Sequence, residues 1–136
     1  MRVRSRETWF ALLAAAVVIT ILIVCLYPFR FAVRHGGIDA VAALVGSWAK
    51  PPSAIDFILN IALYVPLGAF AALSLQRLRR PWHRVAMVTI GGGLLSIAVE
   101  LTQYFDAARY TSATDVYANT LGTFLGAAAV VLLFRR

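Results

Sequence analysis

The sequence predicts an all-α membrane protein, four transmembrane helices in one bundle with both termini cytoplasmic. Three observations predict it. Of the 136 residues, 61% are apolar and 14% charged, against about 25% charged in an average soluble domain. Mean hydropathy is +0.79. The few charges cluster between uncharged runs of about 20 residues, the length that crosses a hydrocarbon core of about 30 Å. Disorder, a disulfide scaffold and a soluble globular fold are all excluded by that pattern. The whole of 1–136 reads as a single domain.

The first predicted span is 9–27, preceded by Arg2, Arg4 and Arg6. This start imitates a signal peptide. Its apolar part exceeds the roughly 7–15 residues of such segments and no Ala-x-Ala site follows, so it reads as an uncleaved helix. Cys25, the sole cysteine, permits no internal disulfide and reads as an inert packing residue. Val24 before it argues against a lipoprotein site.

The stretch 28–53 is the one long connection. Within it Ile38, Val41, Val45 and Trp48 share a helical face, and Pro51-Pro52 would stop that helix. It reads either as a helix lying on the outer membrane surface or as a loop packed on the bundle.

The second span, 54–75, contains Pro66, which should kink it and free the carbonyl of Ala62. The third, 85–105, has a thin patch at Gly91, Gly92 and Gly93. The fourth, 114–134, repeats small residues at Ala118, Gly122 and Gly126, a stripe that permits close backbone approach.

Orientation follows from the basic residues. Arg2, Arg4, Arg6, Arg77, Arg79, Arg80, Arg84, Arg135 and Arg136 share one side of a four-span protein. Arg30, Arg34, Lys50 and Arg109 hold the other, so the positive-inside rule places both termini in the cytoplasm. Trp9 and Trp82 then mark the inner interface, and Tyr27, Trp48, Tyr104 and Tyr110 the outer one. The net charge of +7 is thereby a matter of topology, and no nucleic-acid partner is expected.

Charged and amide side chains within spans are costly and point to function. Asp56 and Asn60 fall on one face at the outer start of the second span, and Asp115 and Asn119 repeat that spacing on the fourth. Glu100 and Gln103 share a face near the outer end of the third, and Asp106, Arg109, Tyr110 and Ser112 lie in the connection after it. All converge on one extracytoplasmic cup. The bland readings are specific. Ser53 to Asp56 and Ser112 to Asp115 have capping-box spacing, so both acids could serve as caps. Asn60 and Asn119 could bond to neighbouring helices. Glu100 needs a partner, with Arg109 the natural one and Asp106 and Asp115 its rivals, and a purely structural Glu100–Arg109 latch is the alternative to a site. The repeat of Ser-x-x-Asp-x-x-x-Asn at 53–60 and 112–119 is a weak trace of a duplicated hairpin. No phosphate loop, nucleophile elbow or zinc-ligand cluster occurs, His35 and His83 fall on opposite sides of the membrane, and no cofactor or metal is expected.

Asn60-Ile-Ala-Leu-Tyr-Val-Pro-Leu-Gly68, Glu100-Leu-Thr-Gln103, Arg109 and Asp115-Val-Tyr-Ala-Asn119-Thr-Leu-Gly122, in that order and spacing, resemble the VanZ-like family of small bacterial membrane proteins. The likeness covers about 56–126. It implies a multi-pass protein of the bacterial cytoplasmic membrane and lowered susceptibility to teicoplanin-type glycopeptides. It puts Asn60, Pro66, Glu100, Gln103, Arg109, Asp115 and Asn119 on motif positions. The leading expectation is a binder of a cell-surface lipid or glycan headgroup, or a lipid-linked glycan or glycopeptide. Asp56, Asn60, Glu100, Gln103, Arg109, Asp115 and Asn119 would line its cup, with Arg109 pairing a phosphate or carboxylate. The alternatives are an intramembrane hydrolase or transferase using Glu100, Arg109 and Asp115, and a structural or assembly subunit.

Overall fold

The computed structural model describes residues 2–32, 36–49 and 53–134. Arg34, His35, Lys50, Pro51, Pro52, Arg135 and Arg136, used above for orientation and helix ends, lie outside them, as do the side chains of Arg2 and Arg4. The elements are α1 (Arg2–Leu26), α2 (Gly37–Gly46), a 3-10 turn (Ser47–Ala49), α3 (Ala54–Ser74), α4 (Pro81–Gln103) and α5 (Ala113–Leu133). Four of these, α1, α3, α4 and α5, are long and apolar enough to cross a membrane.

Helix ends follow local chemistry more than hydropathy. Ser53 and Ser112 cap α3 and α5, accepting from the Asp56 and Asp115 backbone N–H groups. α4 starts four residues before the apolar run expected from residue 85, because Pro81 at its first position has no N–H to leave unpaired. α1 likewise extends back to Arg2, through the polar residues that precede its apolar run. α3 continues through Pro66.

α5 is the axis of the bundle. Half of its most apolar stretch is buried, against 6% for α1. It packs most extensively on α3, then on α4, while α1 lies outside against α3 and α4. The α3–α5 approach is set by glycine. Gly122 lies on the Ile61 backbone, Gly126 on the Val65 carbonyl and Gly68 on the Thr123 carbonyl, with no room at any of them for a Cβ. Lipid offers helices little hydrophobic reason to associate, so such contact surfaces carry the packing. On α4, Gly92 and Gly93 face Thr123 and Thr120 of α5, whereas Gly91 faces open space. One apolar core joins Ala72, Val85, Val88, Ala127, Val130 and Val131. A second joins Ile21 and Cys25 of α1 to Tyr64, Leu67 and Val99.

At the end of the bundle where α1 and α4 begin, Trp9 and Trp82 are exposed. There the Arg77 Nε donates to Glu7 Oε2 at 2.6 Å, tying the start of α1 to the α3–α4 connection. At the opposite end two connections are stitched together. The Ala32 N–H donates to the Phe105 carbonyl at 2.8 Å and the Ala107 N–H to the Arg30 carbonyl at 2.9 Å. α2 settles between the two expected readings. It is a helix, it buries Ala40, and its following turn buries Ser47. Its apolar face points away from the bundle, with Ile38 86% exposed and Val41, Val45 and Trp48 exposed beside it.

Candidate functional site

The site is built on two helix ends, whose backbone groups need partners from elsewhere in the chain. An α-helix leaves four N–H groups orphaned at its start and four carbonyls at its finish. At the start of α5, the Ser112 N–H donates to Glu100 Oε2 at 2.7 Å and the Ala113 N–H to Ser47 Oγ at 2.7 Å. The Asp115 N–H donates to Ser112 Oγ at 3.2 Å. Glu100 is therefore a cap, but for a helix other than its own, and its carboxyl sits at the N-terminal end of α5.

At the finish of α1 the carbonyls find donors from across the bundle. Gln103 Nε2 donates to the Cys25 carbonyl at 2.9 Å. Arg109 donates through Nε to the Tyr27 carbonyl at 2.9 Å and through one Nη to the Val24 carbonyl at 3.1 Å. A cation at a helix C-terminus is favourable for the dipole as well as for the carbonyls. The expected Glu100–Arg109 ion pair is not formed; among the described residues the salt bridge present is Arg77–Glu7 at the other end. Helix ends compete for both side chains and hold them apart.

Between these anchors lies a cavity of about 510 Å³, within the range of about 300–1,000 Å³ that small ligands occupy. Asp56, Asn60, Glu100, Gln103, Arg109 and Asp115 all line it. The Asn60 and Ser112 side chains lie beside the Asp115 carboxyl. Asn119 does not reach the cavity. It lies one turn deeper, 1% exposed, and its Nδ2 donates to Ser96 Oγ at 2.8 Å. It joins α5 to α4, which is the bland reading of that amide. Asp106 is also elsewhere. It is fully buried, accepting from the Arg30 N–H at Oδ2 and the Ala108 N–H at Oδ1, at 3.2 and 2.8 Å.

Sequence reasoning misses the apolar part of the lining, Val24, Leu59 and Leu63, together with Cys25. Val24 and Leu59 are more than half exposed, one on α1 and the other on α3. An apolar residue in an apolar span carries no signal of its own, so nothing marks these. Among the described residues no three His, Cys, Asp or Glu side chains are placed to hold a metal ion.

A family model described as VanZ/LLP1 matches residues 8–135. The chain belongs to the VanZ/LLP1 family. No curated protein and no solved structure matches it at a significant level. The VanZ/LLP1 match reaches beyond the motif-bearing stretch of 56–126 to take in α1 and α2. The α1 carbonyls that hold Gln103 and Arg109 thus belong to the same family unit as the motif residues. This VanZ-like chain is a membrane protein with four apolar, span-length helices.

Cys25, 9% exposed at the cavity wall, reports on that α1 anchor. Losing charge-assisted bonds to α1 in Arg109→Ala should raise its maleimide labelling rate by about tenfold, through more frequent local opening. Gln103→Leu should act in the same direction. Unchanged rates in both variants would show that α1 is held by other contacts.

Proposed function

We propose that this VanZ-like protein resides in the bacterial cytoplasmic membrane and binds the headgroup of a cell-surface lipid or glycan in the cavity between α1, α3, α4 and α5. One observation carries the reading. Six polar residues on three helices and a connection line one cavity at one end of an otherwise apolar bundle. Buried polar groups in a membrane are retained where they serve a pathway or a ligand. The basic residues Arg6, Arg77, Arg79, Arg80 and Arg84 gather at the opposite end, which supports a cavity opening away from the cytoplasm. On this reading the protein lowers susceptibility to teicoplanin-type glycopeptides by engaging the surface those antibiotics reach.

An intramembrane hydrolase or transferase would need Glu100 free to move a proton, with Arg109 and Asp115 beside it. The helix-end bonds of Glu100 and Arg109 favour a holding role.

The test compares teicoplanin and vancomycin susceptibility in cells expressing wild type, Glu100→Gln or no protein, with membrane abundance measured in parallel. Glutamine keeps an oxygen to accept from the Ser112 N–H, so abundance should hold. Protection by the wild type, lost in Glu100→Gln at equal abundance, is the expected result. No protection at good expression removes the antibiotic part of the proposal. Loss that tracks abundance replaces it with a structural role.

A further inference from the structure

We infer that the headgroup bound in this cavity carries a primary ammonium group, on a lipid whose chains lie along α1 and α3. The inference rests on the headgroup reading and names its chemistry.

The lining is acidic. Asp56, Glu100 and Asp115 share the wall with Arg109, the one cationic side chain there among the described residues. That guanidinium is drawn to the end of α1 by its bonds to the Val24 and Tyr27 carbonyls. Glu100 gives the sharper pointer. Its side chain is 2% exposed and borders the cavity, yet among the described residues only Oε2 has a donor, the Ser112 N–H. Oε1 has no donor among the described residues and is open to one from a ligand. Gln103 is similar: 7% exposed, its Nε2 is bound to the Cys25 carbonyl, and its Oε1 has no donor among the described residues. Among the described residues the cavity thus presents the oxygen acceptors of three carboxyls and of Gln103, against the fewer donors of Arg109, Asn60 and Tyr110.

A phosphate placed deep in this cavity would meet like charge. A divalent metal needs carboxyls converging on one point, and among the described residues no such group exists. An ammonium carries one positive charge and three donors that can reach separate oxygens, which fits dispersed acceptors. The remaining wall is apolar, and Val24 and Leu59 are exposed on the same flank of the bundle. That flank places acyl chains beside the cavity and selects a lipid over a free amine. In an ethanolamine-type phospholipid the phosphate would then sit at the rim, within reach of the exposed Arg109 rather than of the carboxyls.

The experiment is binding to the purified full-length protein in neutral detergent, read by native mass spectrometry and by the shift in Tm. The probes are phosphatidylethanolamine, phosphatidylcholine, phosphatidylglycerol and free ethanolamine. Wild type should retain phosphatidylethanolamine about tenfold better than phosphatidylcholine, whose quaternary ammonium has no N–H to donate. Glu100→Gln should lose that preference. Asp56→Asn, at an exposed position, supplies the same comparison if Glu100→Gln does not fold. Equal or better retention of phosphatidylglycerol overturns the ammonium inference and leaves the headgroup reading standing. Free ethanolamine acting as strongly as the lipid overturns the choice of a lipid. No probe distinguishing wild type from a folded variant overturns both the inference and the reading beneath it.

Discussion

Replacing Gly126 with valine is expected to part α3 from α5 and remove most of the folded protein from the membrane. A Cβ at Gly126 would overlap the Val65 carbonyl oxygen and stand 2.9 Å from the Ala69 nitrogen. Both are backbone atoms of α3, so no side chain can swing aside. Even Gly126→Ala must push the helices apart along their most extensive contact, at a cost of about 3 kcal/mol, the upper end of ordinary overpacking. Gly91→Ala is the internal control. Nothing lies within 4 Å of its new methyl group, and exchanging glycine for alanine in a helix is worth up to about 1 kcal/mol in favour of the variant. Thermal unfolding in detergent and membrane abundance separate the two. A Gly126→Ala protein with wild-type Tm would mean that the glycine stripe does not set the α3–α5 distance.

That contact is legible in residue type and spacing alone. Small residues at every fourth position of a span have few uses besides close packing, and Ala118, Gly122 and Gly126 lie on the face of α5 that the bundle buries. The four spans are legible for a similar reason, since an uninterrupted apolar run has one physical solution in a bilayer. Less can be read at the ends. Hydropathy places the start of α4 at residue 85, but helices begin where a cap or a proline permits, and Pro81 permits it earlier. The Glu7–Arg77 pair is invisible in the sequence, because it depends on α1 returning beside a connection 70 residues away.

In the site, residue type identifies which side chains gather, while backbone geometry decides what they bond. Asp56, Asn60, Glu100, Gln103, Arg109 and Asp115 stand out as polar groups at one depth, and depth alone brings them to one cavity. Partners are harder to foresee. Charge complementarity pairs Glu100 with Arg109, yet each is drawn to the end of a different helix. Carbonyls and N–H groups at helix ends are present in every sequence and leave no residue signature. Asn119 illustrates the complementary limit. Its spacing from Asp115 matches that of Asn60 from Asp56, but α5 is the buried axis, so the same turn points inward to Ser96.

Asp106 carries the second large expected effect. Charge alone makes it a rival for Arg109, on the ground that a carboxylate beside a short connection seeks a cation. Its partners are instead two backbone N–H groups, on Arg30 and Ala108, and the side chain is wholly buried. It bolts the chain leaving α1 to the chain entering α5, beside the Phe31–Asp106 bridge. Asp106→Ala strands both donors in a buried place, each at about 1–3 kcal/mol, so a loss of about 4 kcal/mol is expected. Asp106→Asn, which keeps one carbonyl oxygen and no charge, should recover about half of that. The damage should spread to the cavity, because the same connection carries Arg109 to α1 and Ser112 to Glu100. Lipid binding and Tm should therefore fall together in Asp106→Ala, whereas Glu100→Gln lowers binding with little change in Tm. An Asp106→Ala protein with wild-type Tm would show that the backbone pairing between the two connections stands without the carboxylate. The cavity would then owe its shape to the helix ends alone.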